Sequence, residues 1–153
     1  MSTAPATPSR SDKVQLADFL CFAIYSANLT FGKAYQPILE ALGLTYTQYI
    51  AVVALYDDGR QTVGGLGQKL FLESNTLTPM LKKLESMGYV SRARDSADER
   101  QVLVDLTAEG RALRERAFGA DLVESCGLSE QEFADVRDGV LKLRDNLAKS
   151  LHS

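Results

Sequence analysis

Ser74–Gly110 reads SNTLTPMLKKLESMGYVSRARDSADERQVLVDLTAEG. Leu77, Leu81, Leu84 and Met87 recur at helical spacing, with Met80 beside them, so the first part reads as a helix with one apolar face. Asn75, Thr76, Pro79, Lys82, Lys83 and Ser86 lie away from that stripe. Ser74 is the expected cap; were Thr78 the cap, Pro79 would take the favoured first helical position. Gly88 stops the helix. Tyr89 to Arg94 is strand-like, DSADER is turn chemistry, and Val102, Val104 and Leu106 alternate with Leu103 and Asp105 as a half-buried strand does. Thr107 caps a new helix whose first turn holds Glu109, where the helix dipole favours a carboxylate. Helix, charged-tip hairpin, helix is the order of a winged helix-turn-helix, a shape that fits two grooves of DNA. The expected class is therefore mainly α with a small β-hairpin wing (α+β).

Upstream, Leu16, Leu20, Ala23, Ala27, Phe31 and Ala34 predict one long helix ending at Leu42-Gly43, with Gly32 and Pro37 as candidate bends. TYTQYIAVVALYDDG is a second helix: Thr45 and Gln48 have capping-box spacing, Leu44 and Tyr49 staple spacing. Thr62 to Leu72 is a short helix weakened by Gly64, Gly65 and Gly67 at about 1 kcal/mol each. Packing through Val63, Leu66 and Leu70 must hold it. The last helix starts at Ser129, with a Ser129/Glu132 capping box and a Leu128/Phe133 staple. Phe133, Val136, Val140, Leu143, Leu147 and Leu151 line one of its sides.

The 153 residues suffice for one domain with a real core. Residues 1–12, Ser/Thr/Pro/Ala-rich, are expected to be a disordered tail, and 13–153 one domain. Within it, 13–44 and 107–153 are read as dimerisation helices and 45–106 as the DNA-reading part. The core is too small to cover both terminal apolar stripes, so a homodimer is expected, and its two-fold axis suits a palindromic DNA site. The net charge of −3 argues against non-specific coating of nucleic acid. Arg60–Arg111 carries eight Lys/Arg against seven Asp/Glu, so charge supports DNA binding only weakly and the motif must carry it.

The longest apolar run, Phe19–Tyr25, is far short of the ~20 residues of a membrane span, and MSTAPATPSRSD has no signal-peptide core. A cytoplasmic protein with no membrane partner is expected, its two cysteines, Cys21 and Cys126, reduced at rest. The one histidine, His152, lies next to the C-terminus. No triad, imidazole base or histidine metal cluster is available, so no enzyme, metal or cofactor is expected.

Ser74, Asn75, Thr76 and Thr78 suit phosphate or base-edge contacts in the major groove, and Lys82 and Lys83 suit phosphates. Arg94 and Arg100 flank the hairpin tip, where an arginine can enter a narrow minor groove. Each of these charges alone would equally suit a solvated face. Asp98, two residues from Arg100, is a candidate to pair with it and stiffen the wing. The cysteines, read from the residues alone, are most simply small buried hydrophobes, and the tyrosines packing residues.

DERQVLVDLTAEG resembles the wing signature of MarR-family transcription regulators, with Asp98, Arg100, Leu106, Thr107 and Gly110 at the signature positions. FLCFAIYSANLTFGKAYQPILEALGLTYTQYIAVVALY and LFLESNTLTPMLKKLE resemble the organic hydroperoxide resistance repressors within that family. The likeness covers nearly the whole chain after Ser11. Gly64 and Gly65 depart from the polar residues usual there. The resemblance implies a homodimeric repressor on double-stranded DNA with an organic hydroperoxide as inducer. It implies that Cys21 is the peroxide sensor, its thiolate hydrogen-bonded by Tyr35 and Tyr46 from the partner subunit. It further implies that Cys126 resolves the oxidised sensor as an intersubunit disulfide.

One physical point agrees independently. Cys21 and Tyr35 are fourteen apart, about 21 Å along a straight helix, so they meet only across a dimer interface or if the helix breaks sharply. The thiolate would attack the peroxide O–O bond, and Phe19, Leu20, Phe22 and Ile24 would favour an organic peroxide over hydrogen peroxide. Three competing readings remain: a repressor released by a non-covalent ligand such as a phenolic compound, a thiol peroxidase using Cys21 and Cys126, and a winged-helix protein that binds only proteins.

Overall fold

The computed structural model describes residues 15–117, 119 and 122–153. Six helices and a three-stranded sheet follow in the order α1 (Leu20–Leu42), α2 (Tyr46–Asp58), β1 (Gln61–Thr62), α3 (Val63–Leu70), α4 (Ser74–Ser86), β2 (Val90–Arg94), β3 (Val102–Leu106), α5 (Ala108–Arg116) and α6 (Glu130–Leu151). This is the expected mainly helical winged architecture. The tail assigned to residues 1–12 lies outside the described residues.

Local chemistry sets most of the helix starts. At α2, Gln48 N–H donates to Thr45 Oγ1 and Thr45 N–H to Gln48 Oε1, closing the capping box. Ser129 and Glu132 do the same at α6. Thr62 Oγ1 accepts from Gly65 N–H at α3, and Thr107 Oγ1 from Gly110 N–H at α5.

Two starts differ from expectation. Leu16 is not part of the long helix: Leu16–Asp18 is a separate 3-10 turn and Phe19 is extended. There Asp18 Oδ2 accepts from Gln15 N–H, a local bond that outcompetes continuation of the helix. Neither Ser74 nor Thr78 caps α4. Glu73 takes the cap position, because its carbonyl accepts from Thr76 N–H and Leu77 N–H. Pro79 is then the sixth helical residue and removes one bond, to the Asn75 carbonyl.

The sheet has the order β1-β3-β2, antiparallel throughout. Val90 lies opposite Leu106 and Arg94 opposite Val102, so β2 and β3 form the wing hairpin. The strand β1 was not expected; Thr62 was read as a helix start, and a two-residue strand is too short to show alternation. Its pairing of Gln61 with Val104 ties the entrance of α3 to the root of the wing.

The core sits under the reading elements. Leu55 (α2), Leu66 (α3), Leu77, Leu81 and Leu84 (α4) and Val104 (β3) have no exposed surface. Met80, Met87, Val63 and Leu70 pack against this cluster half-buried. Gly67 is where α3 approaches closely: an added Cβ would lie 2.8 Å from the Leu72 carbonyl oxygen and 3.3 Å from Leu77 Cδ2. Its helical cost is offset by that contact.

The terminal helices are different. α1 buries only Leu39 and α6 buries no residue. Leu20, Leu29 and Phe31 on α1, and Val136, Val140, Leu147 and Leu151 on α6, remain exposed in the single chain. No single helix among the described residues is long and apolar enough to cross a membrane; α1 and α2 together meet the criterion only as a pair bent by 72°.

Candidate DNA-reading face and cysteine site

The first turn of α4 presents Ser74, Asn75 and Thr76 to solvent, and Lys82 and Lys83 follow, also exposed. Thr78 is half-buried and turned toward the wing, where it lines a cavity of about 320 Å³ with Ser74, Gly64, Arg92 and Gln101. Of the six expected α4 contacts, Asn75, Thr76, Lys82 and Lys83 stand open to solvent away from the recess, while Ser74 and Thr78 line it.

The wing tip is a network closed on itself. Asp95 N–H donates to the Gln101 carbonyl and Gln101 N–H to the Asp98 carbonyl, each at 2.9 Å. Arg94 Nη1 donates to the Glu99 carbonyl at 2.7 Å. Arg100 Nε and Nη2 grip Asp98 Oδ1 and Oδ2 at 3.0 and 3.2 Å. This is the pairing the spacing suggested, and Arg100 holds the Asp98 carboxyl below its ordinary value. The Arg100 side chain nevertheless stays 90% exposed. Asp98 thus orients a guanidinium that points outward, whereas Arg94 is spent partly on the loop.

Sequence reasoning missed one pair. Glu85, at the end of α4, accepts from Arg92 N–H through Oε2 and from Arg92 Nη2 through Oε1, both at 3.1 Å. The hydrogen bonds from Arg92 hold the Glu85 carboxyl below its usual range. The pair clamps the reading helix to the wing and fixes their spacing. The signal was present: Arg92 lies two residues beyond buried Val90 in β2, so it shares the inner face, where a cation needs an acidic partner.

Cys21 is exposed and is the second residue of α1. Phe22 and Tyr25 follow it on α1, their rings tilted to each other with centroids 6.3 Å apart. α1 runs without a break from Leu20 to Leu42, so Tyr35 lies about 21 Å along it from Cys21. Tyr35 packs instead on Tyr46 of α2, with centroids 5.5 Å apart, and on Tyr49 at 6.3 Å. The two tyrosines are together, and the cysteine is apart from them within one chain.

Cys126 ends a 3-10 turn, Glu124–Cys126, ahead of α6. It is a half-buried free thiol lining an apolar groove of about 800 Å³ between α1 and α6. Leu122, four residues earlier, holds a left-handed backbone (φ 58°) and lines the same groove. The described residues contain no group of three or more His, Cys, Asp or Glu arranged to hold a metal ion.

A profile of the SarA/Rot transcriptional regulators matches residues 33–116. The organic hydroperoxide resistance transcriptional regulator of Bacillus subtilis is 39% identical over 130 residues, 84% of this chain and 87% of that protein. The chain belongs to the MarR/SarA-type transcriptional regulators, in the organic hydroperoxide regulator subgroup. Among solved structures, reduced AbfR bound to DNA superposes with a TM-score of 0.76 at 36% identity, covering 92% of this chain and 99% of that one. AbfR is a Staphylococcus epidermidis protein. Its disulfide form matches less closely, with a TM-score of 0.64 at 34% identity, covering 94% and 97%. As a member of this family, the chain is a transcriptional regulator.

Proposed function

We propose that this regulator is a homodimeric repressor that binds a palindromic operator in the cytoplasm and releases it when an organic hydroperoxide oxidises Cys21. The observation that carries the reading is the separation within one chain. Cys21 sits at the start of an unbroken helix, and the Tyr35–Tyr46 pair is assembled near its other end. A second copy running antiparallel across α1 brings each thiol to the other chain's tyrosines. The uncovered apolar sides of α1 and α6 supply that contact. In this division of labour, residues 13–44 and 107–153 hold the dimer and 45–106 read the DNA.

The α4 face with Ser74, Asn75, Thr76 and Thr78 enters the major groove, Lys82 and Lys83 meet phosphates, and the Arg100 guanidinium, oriented by Asp98, enters the minor groove with Arg94 beside it. The Cys21 thiolate, hydrogen-bonded by Tyr35 and Tyr46, attacks the outer peroxide oxygen. An S–O bond forms, the O–O bond breaks, and the alkoxide leaves as alcohol after taking a proton; sulfur is oxidised to the sulfenic acid. The Cys126 thiol of the partner subunit then displaces water, giving a disulfide. Drawing these sites together shifts the terminal helices and takes the reading heads out of register. That AbfR has been solved both reduced on DNA and in a disulfide form supports a redox reading.

The test is operator binding by Cys21→Ser and Cys126→Ser. Cys21→Ser should bind as the reduced wild type does and stay bound with hydroperoxide. Cys126→Ser should stay largely bound when hydroperoxide oxidises Cys21, because no disulfide forms to draw the helices together, and its sulfenic acid should oxidise further. Release of Cys21→Ser by peroxide would remove the sensor assignment. The 800 Å³ groove, with Arg137 among its lining, favours a second reading, release by a small aromatic acid. It predicts that such an acid frees Cys21→Ser from DNA.

A further inference from the structure

We propose that Tyr49 is the proton donor to the alkoxide that departs when a hydroperoxide oxidises the Cys21 thiolate of the other subunit. The inference deepens the thiol-switch reading and rests on it. Attack on the outer peroxide oxygen calls for two kinds of donor. Hydrogen bonds to sulfur hold it as thiolate, the part assigned to Tyr35 and Tyr46. The inner oxygen needs a proton as the O–O bond breaks, because an alkoxide is a strong base and a poor leaving group. A group that donates to sulfur stands on the wrong side for this. The leaving oxygen lies beyond the attacked one, in line with sulfur, so its donor must sit farther along. In the step proposed, the S–O bond forms and the O–O bond breaks. The outer oxygen keeps its hydrogen as the sulfenic acid, and the inner oxygen takes the Tyr49 hydroxyl proton. The tyrosinate then recovers a proton from water.

Tyr49 meets that demand. It follows Tyr46 by three residues on α2, about 4.5 Å along the helix at ~1.5 Å per residue. Both rings flank Tyr35, with centroids 5.5 Å away for Tyr46 and 6.3 Å away for Tyr49. Tyr46 is 47% exposed and Tyr49 only 7%, so Tyr46 forms the rim of the cluster and Tyr49 its floor. The Tyr49 ring belongs to the core with Leu39 and Leu44, where a phenylalanine would pack as well. The hydroxyl is what packing does not explain. Among the described residues it has no hydrogen-bond partner, and a buried donor left without an acceptor is destabilising. It is not among the fully enclosed polar atoms either, so water and substrate can reach it. No imidazole competes for the task, since the one histidine, His152, lies beyond the end of α6.

The experiment is stopped-flow loss of the Cys21 thiol in the full-length reduced protein, with Cys126→Ser as background so that one thiol is read. Tyr49→Phe and Tyr46→Phe are each compared with that background against cumene hydroperoxide and against peracetic acid. Peracetic acid expels acetate, a weak base that leaves without a proton. Tyr49→Phe should slow cumene hydroperoxide about tenfold or more, as loss of a positioned acid does, and change peracetic acid by less than about twofold. Tyr46→Phe acts on sulfur and should slow both oxidants alike. A purely structural role for Tyr49 would also slow both. Across a series of hydroperoxides, the rate should depend weakly on leaving-group basicity with Tyr49 in place and steeply in Tyr49→Phe. Circular dichroism and operator affinity of reduced Tyr49→Phe should match the background. Equal slowing of both oxidants by Tyr49→Phe, or slowing of neither, overturns the proposal and leaves the Cys21 assignment standing. A Cys21 that reacts with neither oxidant in the folded background overturns the thiol-switch reading, and this proposal with it.

Discussion

Gly110→Ala isolates one close contact in the wing-to-α5 junction. A Cβ at position 110 would overlap the Tyr89 carbonyl oxygen and lie 3.0 Å from Leu106 Cδ2 and 3.1 Å from the Tyr89 carbonyl carbon. The first turn of α5 must therefore lift away from the β2 entrance. Two bonds hold it there, Thr107 N–H to the Tyr89 carbonyl at 3.1 Å and Thr107 Oγ1 to the Gly88 carbonyl. Forcing a methyl group into a packed site costs about 1–3 kcal/mol. Loosening the two bonds adds roughly 1 kcal/mol each at most. The better helix propensity of alanine returns no more than about 1 kcal/mol. The net expectation is a loss of about 2–4 kcal/mol, or roughly 6–12 °C in Tm for a chain of this size. Thermal and urea melts at equal protein concentration measure it, since a dimer's Tm depends on concentration. Gly64→Ala is the matched control and should stay within about 1 kcal/mol of the wild type, because nothing stands within 4 Å of its Cβ. A Gly110→Ala protein melting alongside that control would mean that the Tyr89 carbonyl does not restrict position 110.

Val136 is 56% exposed on α6 in the single chain. Val136→Lys should shift sedimentation toward monomer and cost operator binding, while the circular dichroism of the head is retained. Tyr46→Phe should keep DNA binding but slow Cys21 oxidation by an organic hydroperoxide, read by stopped-flow thiol loss; an unchanged rate would remove the tyrosine from the site. The Asp98–Arg100 pair gives a pH signature. The Asp98 carboxyl is held below its ordinary value near 3.8. With the folded value depressed, its contribution is present above the unfolded value and lost as pH falls through the folded one. The Arg100 Nε–H resonance should hold from neutral pH to about 5 and move only below about 4; movement near neutrality would contradict the pairing.

What was legible in the sequence was local chemistry. Thr45–Gln48, Thr107 and Ser129–Glu132 fix helix starts through bonds spanning three residues. The leucines of α4 declared its buried face by period alone. The remainder depends on partners distant in sequence. The pairing of β1 with β3 joins Gln61 to Val104, and two residues carry no pattern. Ser74 is a good cap by type, yet the Glu73 carbonyl already receives two N–H groups and takes that place. Gly67 and Gly110 look like propensity defects until the chain that crosses them is known. The site divides in the same way. The α4 polar face and the Asp98–Arg100 spacing were readable from residues. Cys21, Tyr35, Tyr46 and Cys126 were singled out only through resemblance, because an isolated cysteine or tyrosine in an apolar helix has no pattern of its own.

The proposed switch is thiol oxidation acting on DNA binding. Its most direct measurement is the affinity of the reduced wild-type protein for duplex DNA from its own upstream region, before and after about one equivalent of an organic hydroperoxide, and again after dithiothreitol. Tight binding should be lost on oxidation and return on reduction, with the loss tracking one thiol per subunit. Tight binding that one equivalent leaves unchanged, while the Cys21 thiol is shown to be consumed, would contradict it.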